Sequence, residues 1–139
     1  MSLENPARLR LVRGFLIFAG LAWGVSAFGV FSTWNAAAQA LQALGAKPIT
    51  YDRMLDYWLR MAAGAFTLIG VGYFLLAISP QKHAPVLPWS GWLMILEGVV
   101  LMIHGLMLGL PLFPFHGDVT ACFVGGGAIL ALQNCARQE

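Results

Sequence analysis

From Trp89 to Leu108 the chain reads WSGWLMILEGVVLMIHGLML. A run of about 20 apolar residues is what a helix needs to cross a hydrocarbon core roughly 30 Å thick. This run also carries Glu97 near its middle and His104 two turns further on. An ionisable group at that depth costs about 3 kcal/mol or more unless it faces protein, pairs or changes its protonation. A lone span would leave both side chains in lipid, so the segment demands helical neighbours.

Those neighbours are present in the same chain. Apolar segments over about 12–33, 58–79, 89–110 and 118–136 make four spans of a single transmembrane domain covering 1–139. The expected fold class is therefore all-α, an integral membrane four-helix bundle. Composition agrees: 59% of residues are hydrophobic and only 10% charged, whereas a soluble domain is roughly a quarter charged. A net charge of +2 without a basic, aromatic-interleaved stripe excludes a nucleic-acid partner.

Span one contains Gly20 and Gly24, a small-xxx-small pair that lets two helix backbones approach. After it, NAAAQALQAL over 35–44 has high helix propensity, and Gly45 stops it. This predicts a short helix at the membrane surface between spans one and two. Thr50 reads as the N-cap of a long helix from Tyr51 to Ser79, ended by Pro80. Span three carries Gly91, Gly98 and Gly105 at heptad spacing, a smooth seam suited to a left-handed crossing. PLFPFHG then reads as a tight turn, with span four starting near Asp118. The triplet Gly125-Gly126-Gly127 in span four calls for close contact with a neighbour. Cys122 and Cys135 would lie about 20 Å apart along one helix, too far to bridge.

Flanking charge sets the expected orientation. With the amino terminus inside, Arg8, Arg10, Arg13, Lys82 and Arg137 fall inside, and Lys47, Arg53 and Arg60 outside. The arginines flanking the first span weigh most, so both termini are expected in the cytoplasm, in a bacterial inner membrane.

The candidate polar pocket comprises Glu97, His104, Arg60, Asp118 and His116, which this topology gathers in the outer half of the bundle. Glu97 reads as a proton-exchanging or ligand-binding acid, or as a protonated link to a neighbouring helix. His104 returns to within about 20° of the same face seven residues on. The two lie about 10 Å apart along the axis, which suits lining one cavity better than ligating one ion. Asp118 after a proline-rich turn reads as the N-cap of span four, and His116 as an interfacial side chain. His116 and Asp118 lack the ligand set of a zinc site, so no metal and no cofactor is assigned. Arg60 pairs most simply with Asp56 on its own helix, with Asp118, Glu97 or a lipid phosphate as alternatives.

The basic start RLVRGFLIFAG, YDRMLDYWLRMAAGAF opening span two and the hydrophobic hairpin finish resemble small four-helix membrane proteins of bacteria in the neighbourhood of DoxX-like proteins. The resemblance implies a four-span bundle and carries over no catalytic residue. The functional expectation is a non-enzymatic membrane protein with the lipid bilayer as its surroundings. It would bind a lipid-like or quinone-like molecule, or serve as an accessory subunit in a homo-oligomer or membrane complex. The alternative is a membrane enzyme of isomerase or oxidoreductase type acting on an apolar substrate, with Glu97 as acid/base and His104 as relay. A proton-coupled carrier ranks third, because four helices leave little room for alternating access.

Overall fold

Glycine placement decides which helices in this protein touch and which stand apart. The computed structural model describes residues 6–110 and 112–133. Among them every regular element is helical: α1 (Pro6–Gly24), α2 (Ala27–Phe31), α3 (Trp34–Ala43), α4 (Arg53–Ile78), α5 (Leu87–Met107) and α6 (Leu112–Leu132). Four stretches, Ala7–Phe31, Arg53–Ile78, Leu87–Met107 and Phe115–Leu132, are long and apolar enough to span a membrane. Between 17% and 28% of the most apolar part of each is buried inside the protein. Most of each helix therefore faces outward, which only a hydrocarbon solvent makes tolerable. The chain is a small integral membrane helical protein.

The helices form two tight antiparallel pairs, α1 with α4 and α5 with α6, joined where α1 packs on α6. In the first pair Gly70 sits so close that a Cβ there would stand 2.6 Å from the Gly24 amide nitrogen and 2.8 Å from the Gly20 carbonyl. In the second pair the α5 seam faces α6. A Cβ on Gly91 would meet Leu130 at 2.8 Å, one on Gly98 would meet Cys122 at 3.0 Å, and one on Gly105 would enter the Phe115 ring. Gly125 and Gly126 answer from α6 against Met94, Ile95 and the Gly91 carbonyl, while Gly127 meets nothing. Close approach of this kind replaces the hydrophobic driving force that lipid removes. Val12, Leu16 and Ala19 of α1 join Tyr73, Ala77, Leu87, Met94, Cys122 and Ile129 in one buried cluster.

The consecutive helices α4 and α5 do not pack along their length. Their glycine faces are turned to α1 and α6, and the sides they turn to each other carry bulky Phe66, Ile69, Leu76, Leu93 and Leu96. At the foot of the gap the Tyr73 hydroxyl donates to the Ser90 carbonyl at 3.3 Å.

Several local expectations need correction. Span one is not continuous: Val25 and Ser26 form a turn between α1 and α2. The Ser26 and Phe28 amides bond three residues back, to Trp23 and Val25, where a continuous helix would send them to Ala22 and Gly24. The N-cap of α4 is Asp52 and not Thr50; its carboxylate accepts the Leu55 amide at 2.8 Å, and Asp is the better capping residue. Asp118 does not cap α6. That helix begins at Leu112, with Pro114 in its first turn, where a missing amide is tolerated. The tight turn lies earlier, around Gly109 at φ +60°. There the Leu110 amide bonds the Gly105 carbonyl and the Gly109 amide bonds the Leu106 carbonyl, a Schellman motif. Gly45, at φ +100°, closes α3 in the same way through Ala46 to Leu41 and Gly45 to Gln42. Cys135 and Arg137 lie outside the described residues.

Candidate functional site

Where α4 and α5 stand apart they leave a cavity of about 480 Å³, open on the outer surface of the bundle. Its walls are Phe66, Ile69, Gly72, Tyr73 and Leu76 from α4, and residues from Ser90 to Val100 on α5, with Trp23 of α1 behind. A second cavity of about 270 Å³ lies against the end of α1. Ala22, Val25, Ser26, Leu101, Asp118, Ala121 and Cys122 line it. Trp23, Phe66, Met94 and Glu97 border both cavities. The Trp23 and Phe66 rings stand 5.2 Å apart at 56° where the two cavities adjoin.

Glu97 is the ionisable residue common to both spaces. Met94 and Gly98, one turn back and one residue on, are buried against α6, which turns the Glu97 face toward α1 and α4. Asp118 joins Glu97 at the smaller cavity because α6 starts early and carries it into its second turn. Among the described residues neither carboxylate has a hydrogen-bond or ion-pair partner. Among the described residues no Lys, Arg or His lines either cavity.

The other three residues of the sequence-derived pocket stand elsewhere. His104 is exposed, and its Nδ1 lies 2.9 Å from the Val100 carbonyl of its own helix. It borders neither cavity, because their α5 walls end at Val100 and Leu101, about a turn short of it. His116 is exposed and sits edge-on to Phe115, with ring centroids 4.8 Å apart. Arg60 bonds Asp56 at 3.0 Å, as the i,i+4 spacing suggests, and donates a second bond to the Val30 carbonyl at 2.9 Å. The guanidinium thus secures α2 to α4. Among the described residues no three His, Cys, Asp or Glu side chains come together as a metal site.

Trp23, Phe66 and Gly72 are the site residues that sequence reasoning did not single out. Trp23 carried a signal: it is an aromatic near the middle of a span otherwise rich in small residues, away from the interfacial positions where Trp concentrates. Gly72 carried one as well, as a glycine outside any small-xxx-small partnership with α1.

No family model, curated protein or solved structure matches the chain. The likeness to DoxX-like proteins therefore rests on hydropathy and small-residue placement, and the site is read from its own geometry.

Proposed function

We propose that the protein binds a lipid-like or quinone-like molecule in the cleft between α4 and α5, with Glu97 hydrogen-bonding its polar end, as acceptor from a hydroxyl or, when protonated, as donor to a quinone carbonyl. The observation that carries this reading is an apolar cleft of about 480 Å³ bordered by one unpartnered carboxyl group. Sites for single small molecules run from about 300 to 1,000 Å³, mostly apolar with a few polar groups that fix orientation. The open side lets an apolar molecule enter from the bilayer without crossing water. His104, exposed and folded onto Val100, takes no part. Both termini lie in the cytoplasm in this reading, on the weight of Arg8, Arg10 and Arg13.

Gly72 gives a clean test. It lines the cleft, and a Cβ there would meet nothing within 4 Å. Gly72→Leu therefore places bulk in the cleft from a position whose Cβ touches no neighbouring helix. Thermal unfolding in lipid nanodiscs with a decyl-chain benzoquinone and with decanol is the measurement. A probe at 100 times its Kd stabilises the wild type by about 2.7 kcal/mol, and Gly72→Leu removes that gain while unfolding normally without probe. Equal stabilisation of wild type and Gly72→Leu by both probes would place binding elsewhere and sink the proposal.

A further inference from the structure

The smaller cavity makes the cleft a two-compartment site, and the chemistry of that compartment specifies one end of the ligand. We infer that the site takes a single-chain amphiphile with a cationic amine head: the tail lies between α4 and α5, and the head rests at Glu97, which borders both cavities, on the side lined by Asp118. This rests on the binding reading above and names its ligand class.

Three independent features of the smaller compartment favour a cation. Two carboxylates border it, neither has a partner among the described residues, and no basic side chain lines it. The helix α1 ends there as well: Ala22, Val25 and Ser26 line the cavity just where the Ser26 and Phe28 amides turn to nearer carbonyls. The carbonyl end of a helix carries about half a negative charge, and broken helices in membrane proteins present such ends to cations. Non-helical backbone at membrane depth is tolerated where it lines a cavity. Finally, the Trp23 and Phe66 rings border both cavities, and aromatic faces, Trp above all, attract ammonium groups. An anionic or strongly acidic head would meet repulsion from every one of these groups.

The tail compartment sets the rest of the ligand. Its walls are apolar apart from Glu97, Ser90 and the Tyr73 hydroxyl, and that hydroxyl is engaged by the Ser90 carbonyl. One chain or a small ring system fits a space of this size.

The test uses a matched pair, decylamine and decanol, with full-length protein in nanodiscs of zwitterionic lipid, so that surface charge does not concentrate the amine. Dissociation constants come from ligand-induced shifts in thermal unfolding. Wild type is expected to bind decylamine at least about ten-fold more tightly than decanol, since charge-assisted contacts are roughly twice as strong as neutral ones. Glu97→Gln and Asp118→Asn each reduce that ratio, and together they bring it to about one. Asp118 is exposed, so Asp118→Asn keeps the test readable if Glu97→Gln fails to fold. If both probes bind equally well and Gly72→Leu removes both, the cleft reading stands and the cationic head is wrong. If neither probe binds, or Gly72→Leu leaves both unaffected, the cleft reading falls and this inference falls with it.

Discussion

Two arginines reach across the α1–α4 pair in opposite directions. Arg13 of α1 donates from Nε to the carbonyl of Ala77 at 3.1 Å, in the last turn of α4. Arg60 of α4 donates to the carbonyl of Val30 at 2.9 Å, in the last turn of α2. Each satisfies a carbonyl that the end of a helix leaves without a donor, and each puts a positive charge at a negative dipole end. Arg60 also holds Asp56, with the two side chains 39% and 20% exposed, so solvent screens part of the ion pair. Arg60→Ala is expected to destabilise the protein by about 1–2 kcal/mol, most of it from the lost Val30 bond. Arg60→Lys keeps the charge but not the forked donor set, and recovers part of that. Denaturant titration in mild detergent measures both; an Arg60→Ala protein as stable as wild type would show that α2 is held by packing alone. The Asp56 partner was legible from i,i+4 spacing. The Val30 partner was not, because it exists only where span one breaks. Gly24 and Ser26 flank that break, and Gly/Ser pairs are a recognised cause of helix kinks, so a signal was there to be weighted.

At the scale of elements, glycine spacing was the most readable part of the chain. Gly20–Gly24 and Gly91–Gly98–Gly105 announced tight seams, and both seams are in place, against α4 and α6. Spacing alone did not name the partners, since any small face can meet any other. It also gave no hint that α4 and α5, adjacent in sequence, would stand apart. That depends on where the bulky side chains of both helices end up once the glycine faces have chosen their partners. The candidate site suffered for the same reason. Heptad spacing put Glu97 and His104 on one face, yet Glu97 lines the interior and His104 does not. Gly70 and Gly72 on one helix separate the two roles of glycine. Gly70→Ala drives a methyl into the α1 backbone, which cannot yield, and should cost about 1–3 kcal/mol. Gly72→Ala meets open space and should stabilise by up to about 1 kcal/mol through helix propensity. Unfolding free energies of the pair decide it; effects of the same sign would mean that the α1–α4 contact is looser than described.

For the whole molecule, the proposed orientation rests on the arginines of the amino-terminal flank. Ala46 lies in the exposed connection from α3 to α4, and Gln81 in the exposed connection from α4 to α5, on opposite sides of the membrane. In a background of Cys122→Ala and Cys135→Ser, a membrane-impermeant thiol reagent added outside intact cells should label Ala46→Cys and leave Gln81→Cys untouched. The reverse pattern would invert the protein and place both termini outside. Either result leaves the helical arrangement unchanged, because the two tight pairs and their join at α1–α6 do not depend on which side faces the cytoplasm.

That join has a consequence for how the protein is made. The helix that locks the first pair to the second, α6, follows α1, α4 and α5 in the chain, so it emerges from the ribosome after them. At roughly 5–20 residues per second, α1 and α4 wait on the order of ten seconds for their partner. Until then the α1 face bearing Val12, Leu16 and Ala19 is open to lipid. The larger cleft lacks a wall until α5 arrives, and the smaller cavity until α6 does. The first pair therefore precedes both cavities in synthesis, and a chain cut before α6 would lack the Asp118, Ala121 and Cys122 wall of the smaller one.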